Sequence, residues 1–277
     1  MKTEKISPEL EELIQNIYLI LGFNAGHYEI KHFKRRIDAR MRATKKESYT
    51  EYLNYLKKNS AEKDLLKNCL TVNVTEFFRN PEVYEEFRKT VIPDIIRRKP
   101  PLKNETIRVW SMGCSSGQEP YSIAMTLADA LGGNPGKERL TIYATDIDKD
   151  ALNTAKKAEY KDTTGISEKL IRRYLSKSQK NTFKIKPELQ NLITFTRHDI
   201  FSDPHLTNID ALFCRNTIIY FNKEAKKDLY RLFNKSLAIG GYLIMGKAES
   251  FLSHRDYGFQ VVSGRNHIFK KIEELVS

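Results

Sequence analysis

The sequence predicts an α/β fold: a mostly parallel sheet covered by helices and closed by an antiparallel hairpin, with a small all-α domain ahead of it. Three observations carry this expectation. Between Ser7 and Lys99 no good strand occurs, and Leu, Ile and Phe recur among Glu and Lys at helical spacing. From Thr106 the texture changes to short runs of Val, Ile, Leu and Phe that alternate with amphipathic stretches, as strands alternate with crossover helices. The last two apolar runs flank Ser263-Gly264-Arg265-Asn266, a turn between antiparallel strands. With 277 residues, 40% of them hydrophobic, the chain has room for a large domain and a small one.

Ser7-Pro8 opens the first helix, because proline tolerates the first helical position, where its missing N–H has no intrahelical acceptor. Leu10, Leu13, Ile14, Ile17 and Leu21 line one side, and Gly22 and Gly26 end it. Further helices are expected over about 28–43, 48–57 and 61–70, then a longer one from Pro81 to about 98, closed by Pro100-Pro101. The division expected is a helical N-terminal domain at 1–80, a linker helix at 81–104 and an α/β domain at 105–277. On the second helix Ile30, Phe33, Ile37 and Met41 fall on one face, with Lys31, Arg35 and Arg42 on the other.

In the α/β region strands are expected at 107–112, 140–146, 192–197, 211–215 and 242–245. Helices should follow the first, second and fourth at about 120–131, 149–158 and 223–239. Residues 161–190 exceed a simple helix-to-strand connection and are expected to form a small insertion. Strands at 258–262 and 267–272 complete the hairpin, giving a Rossmann-like mixed seven-stranded sheet. Such a sheet differs from ordinary dinucleotide-binding folds and resembles that of class I methyltransferases.

Cys69, Cys114 and Cys214 are odd in number and lack CxxC spacing, which argues against a disulfide framework or a zinc ribbon. The histidines show no ligand spacing and HExxH is missing, so no metal centre is expected. The N-terminal stretch is acidic and has only a short apolar run near 17–22, unlike a secretory signal or a membrane span. A cytoplasmic protein without membrane insertion is expected. The net charge of +12 favours an acidic partner, whether nucleic acid, anionic membrane or protein, and composition does not choose among them.

Chemistry concentrates where strands end. Trp110 to Ser122 reads WSMGCSSGQEPYS, and Gly113 and Gly117 in this turn let backbone approach a ligand that side chains would block. The turn is neither GxGxxG nor a phosphate loop. Glu119 near the helix start accepts from an ammonium group or simply complements the helix dipole. ATDID ends the second strand, where Asp146 suits the two hydroxyls of a ribose and Asp148 suits the next N-cap. Asp199 and Ile200, after the third strand, offer a polar group and an apolar neighbour to an adenine. FCRNTIIYF ends the fourth strand and sets Arg215, Asn216 and Tyr220 among apolar residues. The joining segment TVNVTEFFRNP has no helical or strand period. It reads either as a piece lying over the ligand, with Arg79 for an anion, or as a packed linker whose Asn80 caps the helix begun by Pro81.

In this order NVTEFFRNP, WSMGCSSGQEPYS, ATDID, FCRNTIIYF and GYLIMGKAES resemble the CheR-type chemotaxis receptor methyltransferases over about 71–271. The resemblance implies S-adenosylmethionine as cofactor, with S-adenosylhomocysteine as product, and glutamate side chains on the cytoplasmic methylation helices of methyl-accepting chemotaxis receptors as substrate. It implies that Asn73, Thr75, Arg79, Gly113, Glu119, Asp146, Asp199, Ile200, Arg215 and Asn216 surround the cofactor, and that Arg79 and Tyr220 face methyl transfer. Two positions depart from the family pattern, which often has Glu at Gln118 and Asn at Asp199. Receptor methylation helices are acidic, so the Lys31, Arg35 and Arg42 stripe is the expected docking face, or else an ordinary solvated one. The Asn/Asp-Pro-Pro-Tyr and Pro-Cys patterns of base-directed methylases are missing, so a nucleic-acid substrate is not expected. A nucleic-acid methyltransferase and a non-catalytic S-adenosylmethionine sensor are the competing readings.

Overall fold

The computed structural model describes residues 6–21, 25–71, 74–100, 105–133, 135–136, 138–178 and 181–275. The chain divides into two compact units, one formed by 1–73 with 220–228 and the other by 74–219 with 229–277.

The first unit contains α1 (Pro8–Leu21), α2 (Ile30–Thr44), α3 (Tyr49–Lys58) and α4 (Ser60–Leu70). Leu10, Leu13 and Ile17 of α1 meet Phe33, Ile37 and Met41 of α2 and Leu56 and Leu66 of α3 and α4 in one apolar core. The helix starts follow local chemistry. Ser48 Oγ accepts from Glu51 N at 3.1 Å and Asn59 Oδ1 accepts from Glu62 N at 3.0 Å. Ile30 does not join the core as its helical phase suggests: it is 40% exposed, because it is the first residue of α2, a turn before Phe33 reaches the apolar layer. Inside this unit a buried Glu62 carboxylate takes both nitrogens of the Arg40 fork, at 2.9 and 2.6 Å, and the Tyr52 hydroxyl at 2.7 Å.

The second unit opens with α5 (Pro81–Glu86) and α6 (Ile92–Arg98), joined by a π-helical turn at Phe87–Val91. The turn widens where Pro93 removes an N–H from the α-helical ladder. Its sheet is built from β1 (Ile107–Met112), β2 (Leu140–Asp146), β6 (Ile193–Arg197), β7 (Ile209–Cys214), β8 (Leu237–Met245), β9 (Phe259–Ser263) and β10 (Ile268–Lys271). These seven strands lie in the order β6-β2-β1-β7-β8-β10-β9. The first five are parallel and β10 and β9 are antiparallel, which is the mixed Rossmann-like sheet expected. Every residue of β7 is buried and all of β1 but Arg108, as befits strands covered on both faces by α7 (Gln118–Ala130), α8 (Lys149–Lys157) and other helices. The strand order reverses between β1 and β7, so the crevice outside their carboxyl ends is where ligands bind in such sheets.

Most boundaries fall within about two residues of expectation, and two depart further. Helix α11 (Lys223–Ser236) stops three residues early and β8 starts at Leu237 rather than 242, with Gly240, at φ 76°, and Gly241 inside the added strand length. The extra length carries a register irregularity against β7 between Ile209 and Ala211. The segment after α8 forms a second, three-stranded antiparallel sheet in the order β3-β5-β4, from β3 (Glu159–Tyr160), β4 (Leu175–Lys177) and β5 (Phe183–Ile185). Helices α9 (Glu168–Tyr174) and α10 (Pro187–Gln190) accompany it.

Candidate active site

Within the second unit, motifs far apart in sequence meet outside β1, β2 and β7. Gly113 leaves β1 at φ 72° and, with Cys114, donates its backbone N–H to Thr145 O at 2.8 and 2.9 Å, which folds the turn back over β2. Its missing Cβ is occupied space: one built there would lie 2.5 Å from Thr217 Oγ1. Gly117, the N-cap of α7 at φ 96°, is equally constrained, since a Cβ would lie 2.8 Å from both Ala155 Cβ and the Tyr160 hydroxyl. Tyr160 in turn donates to Ser116 O at 2.7 Å, so the small sheet supports the turn after β1.

Glu119, in the first turn of α7, accepts from Ser111 Oγ at 2.8 Å and faces Arg215 Nη1 at 3.6 Å. Burial pushes its carboxyl above the ordinary value, and the charge of Arg215, the Ser111 bond and the charge of Arg79 oppose this. Asp146 at the end of β2 accepts from Ser115 N at 2.7 Å and Asp148 N at 2.9 Å; burial raises its carboxyl too, against those amides. Asp148 is the N-cap of α8, accepting from Asp150 N at 2.9 Å. Asp199 and Ile200 are half-buried beyond β6, and Asp199 Oδ1 accepts from Phe201 N at 3.0 Å.

Arg215 is the centre of the arrangement. Its side chain is 1% exposed, and Nη2 donates to Arg79 O at 2.8 Å and Asn80 Oδ1 at 2.9 Å, while Nε is buried without a partner among the described residues. The side chain of Asn80 therefore does not cap the helix begun by Pro81: it makes no cap bond, and its backbone sits at φ 58°. The stronger pull of a buried guanidinium for a second acceptor explains the difference. Phe77 and Phe78 of the joining segment are pinned as well. Phe77 is buried edge-on against Tyr160, and Phe78 N donates to Ser122 Oγ at 2.9 Å. Thr75 and Arg79 are half-buried, and Arg79 Nη1 donates to Val74 O at 3.2 Å; Asn73 lies outside the described residues.

Asn216 continues from Arg215 in the left-handed region at φ 59°. Sequence reading gave no role to Glu249 of GKAES, yet it is buried beside this loop and accepts from Thr217 N, Ile218 N and Gly246 N at 2.9, 2.8 and 2.6 Å. Burial raises its carboxyl, opposed by these amides. An acidic residue in a strand-end motif without a helix to cap was the available signal.

Tyr220 belongs to the first unit. Its carbonyl accepts from Glu29 N at 2.8 Å, its ring lies 4.9 Å from the Arg36 guanidinium carbon and edge-on to His32, and Arg36 Nη1 donates to Leu70 O at 2.6 Å. On α2, Lys31, Arg35 and Arg42 are exposed and line a surface depression of about 310 Å³ together with His32, Lys34 and Asp38.

The donor set fits the groups that S-adenosylmethionine presents. A buried carboxylate (Glu119) beside an unpartnered guanidinium N–H (Arg215 Nε) matches an amino acid's ammonium and carboxylate, and Asp146 at the end of the neighbouring strand matches a diol. Among the described residues no cluster suited to a metal ion occurs.

Residues 73–268 match the family described as CheR methyltransferase, SAM binding domain, and residues 8–71 match CheR methyltransferase, all-alpha domain. The chain is 33% identical to a chemotaxis protein methyltransferase of Listeria monocytogenes, over 88% of this chain and 90% of that protein. It is 32% identical to the chemotaxis protein methyltransferase of Escherichia coli, over 88% of this chain and 85% of that one. An uncharacterized 104.1 kDa protein of Rhodobacter capsulatus is 32% identical over 95% of this chain, which spans only 27% of that protein.

Proposed function

We propose, from the premise that the chain belongs to the CheR methyltransferase family, that it methylates glutamate carboxylates on the cytoplasmic methylation helices of methyl-accepting chemotaxis receptors. It uses S-adenosylmethionine, and receptor methyl esters and S-adenosylhomocysteine are the products. The observation that carries this reading is the Arg215 clamp, which ties Arg79, the arginine suited to an anionic substrate, to the end of β7 beside Glu119.

Bound S-adenosylmethionine supplies an electrophilic methyl group on sulfur. Glu119 accepts from its ammonium, Arg215 Nε and Arg79 donate to its carboxylate, and Asp146 accepts from its ribose hydroxyls. Thr75, Gly113 and Asn216 complete the cofactor's surroundings, with Asp199 and Ile200 against the adenine, and Asn73 is assigned to the cofactor by the family resemblance alone. A receptor glutamate, with an ordinary pKa of about 4.3, arrives ionised, so no residue has to act as a general base. The work left to the protein is alignment, which removes several kcal/mol of barrier by raising effective molarity. Arg79 orients the carboxylate through charge-assisted bonds and Tyr220 donates a further one or orients the methyl group. The Lys31, Arg35 and Arg42 face on α2 docks the acidic receptor helix. The enzyme acts in the cytoplasm and meets receptors from the cytoplasmic side; among the described residues no helix is long and apolar enough to cross a membrane.

Kinetics at saturating cofactor test the catalytic roles. Arg79→Ala and Tyr220→Phe are expected to bind S-adenosylhomocysteine within about tenfold of the parent, at most about 1.4 kcal/mol, and to lose kcat at every cofactor concentration. Recovery of kcat at saturation would reduce Arg79 to a cofactor contact and remove Tyr220 from the chemistry.

A further inference from the structure

Glu249 lies in a stretch that carries the family resemblance but has no part in the chemistry described above. We infer that it is a positioning residue for the cofactor site, acting through the loop that follows β7. Its Oε1 accepts from both Thr217 N at 2.9 Å and Ile218 N at 2.8 Å, and Oε2 accepts from Gly246 N at 2.6 Å. One carboxylate, 3% exposed, thus joins the turns that leave two adjacent central strands, β7 and β8.

The left-handed turn at Asn216 directs the amides of Thr217 and Ile218 at this one carboxylate, and buried amides deprived of an acceptor would force the loop to rearrange. The neighbouring packing leaves no slack. A Cβ on Gly246 would lie 2.8 Å from Asn216 N and 3.0 Å from Glu249 Oε2. On the other side Thr217 Oγ1 fills the space where a Gly113 Cβ would stand, 2.5 Å away, and it donates to Arg215 O at 3.3 Å. Glu249 therefore fixes Thr217, Thr217 seats the turn after β1, and the two residues just ahead, Arg215 and Asn216, are held at the mouth of the crevice. The Thr217, Ile218 and Gly246 amides are all donors and reach both oxygens of the carboxylate, so both of its ends must accept. Glutamine presents an NH₂ at one end and turns one of those contacts into donor against donor.

The inference rests on the assignment of Arg215 and Asn216 to the cofactor. Its test is calorimetric binding of S-adenosylhomocysteine to the full chain, with thermal unfolding of the same samples, for the parent, Glu249→Gln, Asn216→Ala and Leu229→Ala. Leu229 is buried in α11 and has no place in the site, so its variant reports what destabilisation alone does. Glu249→Gln is expected to bind about tenfold or more weakly while folded, Asn216→Ala also weakly, and Leu229→Ala with parental affinity despite a lower Tm. Parental affinity in Glu249→Gln with weak binding in Asn216→Ala overturns the role of Glu249 alone. Parental affinity in both overturns the loop assignment with it. Should Glu249→Gln fail to fold, Glu249→Asp keeps the charge but is one methylene too short to span both turns. Binding several-fold weaker than the parent is then expected, and parental affinity overturns the inference.

Discussion

Arg215 donates from Nη2 to the backbone carbonyl of Arg79 at 2.8 Å, across 136 residues of sequence. The same guanidinium meets Asn80 Oδ1 at 2.9 Å and lies 3.6 Å from the Glu119 carboxylate. A residue proposed to contact the cofactor therefore also holds the backbone of the segment that carries Arg79.

Arg215→Lys separates charge from geometry. Lysine keeps the positive charge beside Glu119 but lacks the planar fork that reaches the carboxylate and the Arg79 segment together. Methylation at saturating cofactor is expected to fall at least about tenfold, which corresponds to about 1.4 kcal/mol in the barrier. Urea denaturation should show a loss of about 1–3 kcal/mol from the abandoned buried acceptors. A lysine variant with parental kcat would leave the Arg79 segment independent of this clamp.

Cofactor binding should weaken in acid. Burial raises the Glu119 carboxyl above its ordinary value, with Arg215 and Ser111 opposing. A carboxyl raised in the folded state binds its proton more tightly there than in the unfolded chain. Its ionisation therefore destabilises the free protein as pH rises through the folded value, and this penalty is absent below the unfolded value. An incoming ammonium requires the ionised form. The affinity for S-adenosylhomocysteine should thus drop as pH falls through the raised value, and Glu119→Gln should bind weakly with a shallower pH dependence. Asp146, raised by burial as well, leaves a residual slope. Equal slopes by calorimetry in the parent and Glu119→Gln would remove Glu119 from the ammonium contact.

Much of this was legible in the sequence. Strand ends and their glycines appear as contiguous motifs, because a ligand turn is local and its backbone demands are written in neighbouring residues. Gly113, Gly117, Asp148 and the mixed seven-stranded sheet follow from such signals, though the order of its strands does not. The cross-links do not. Asn80 looks like a cap until Arg215, 135 residues later, takes its side chain, and Glu249 has only Gly246 N as a local donor, while Thr217 N and Ile218 N reach it from the turn after β7. The small β3-β5-β4 sheet was visible only as excess length, because strands of two or three residues carry no period. Ile30 shows the opposite limit, a residue in the correct helical phase at a position where the helix has not yet met its core.

Reversing charge at Lys31, Arg35 and Arg42 together is expected to slow receptor methylation while leaving S-adenosylhomocysteine affinity unchanged, since the three lie on the exposed face of α2. Exposed charges act chiefly on association, so the parent's rate should fall as salt rises and the variant's should be nearly flat. Initial rates between low and physiological salt read both effects. A variant as fast as the parent at low salt places receptor docking on another surface.

The chemistry itself is tested most directly by incubating the protein with methyl-labelled S-adenosylmethionine and a receptor cytoplasmic fragment, then locating the label. Label on receptor glutamates, released as methanol by mild base as a methyl ester must be, is the expected result. Label that resists base, that appears on nucleic acid instead, or that never leaves the cofactor although S-adenosylhomocysteine binds, would contradict the glutamate methyltransferase reading.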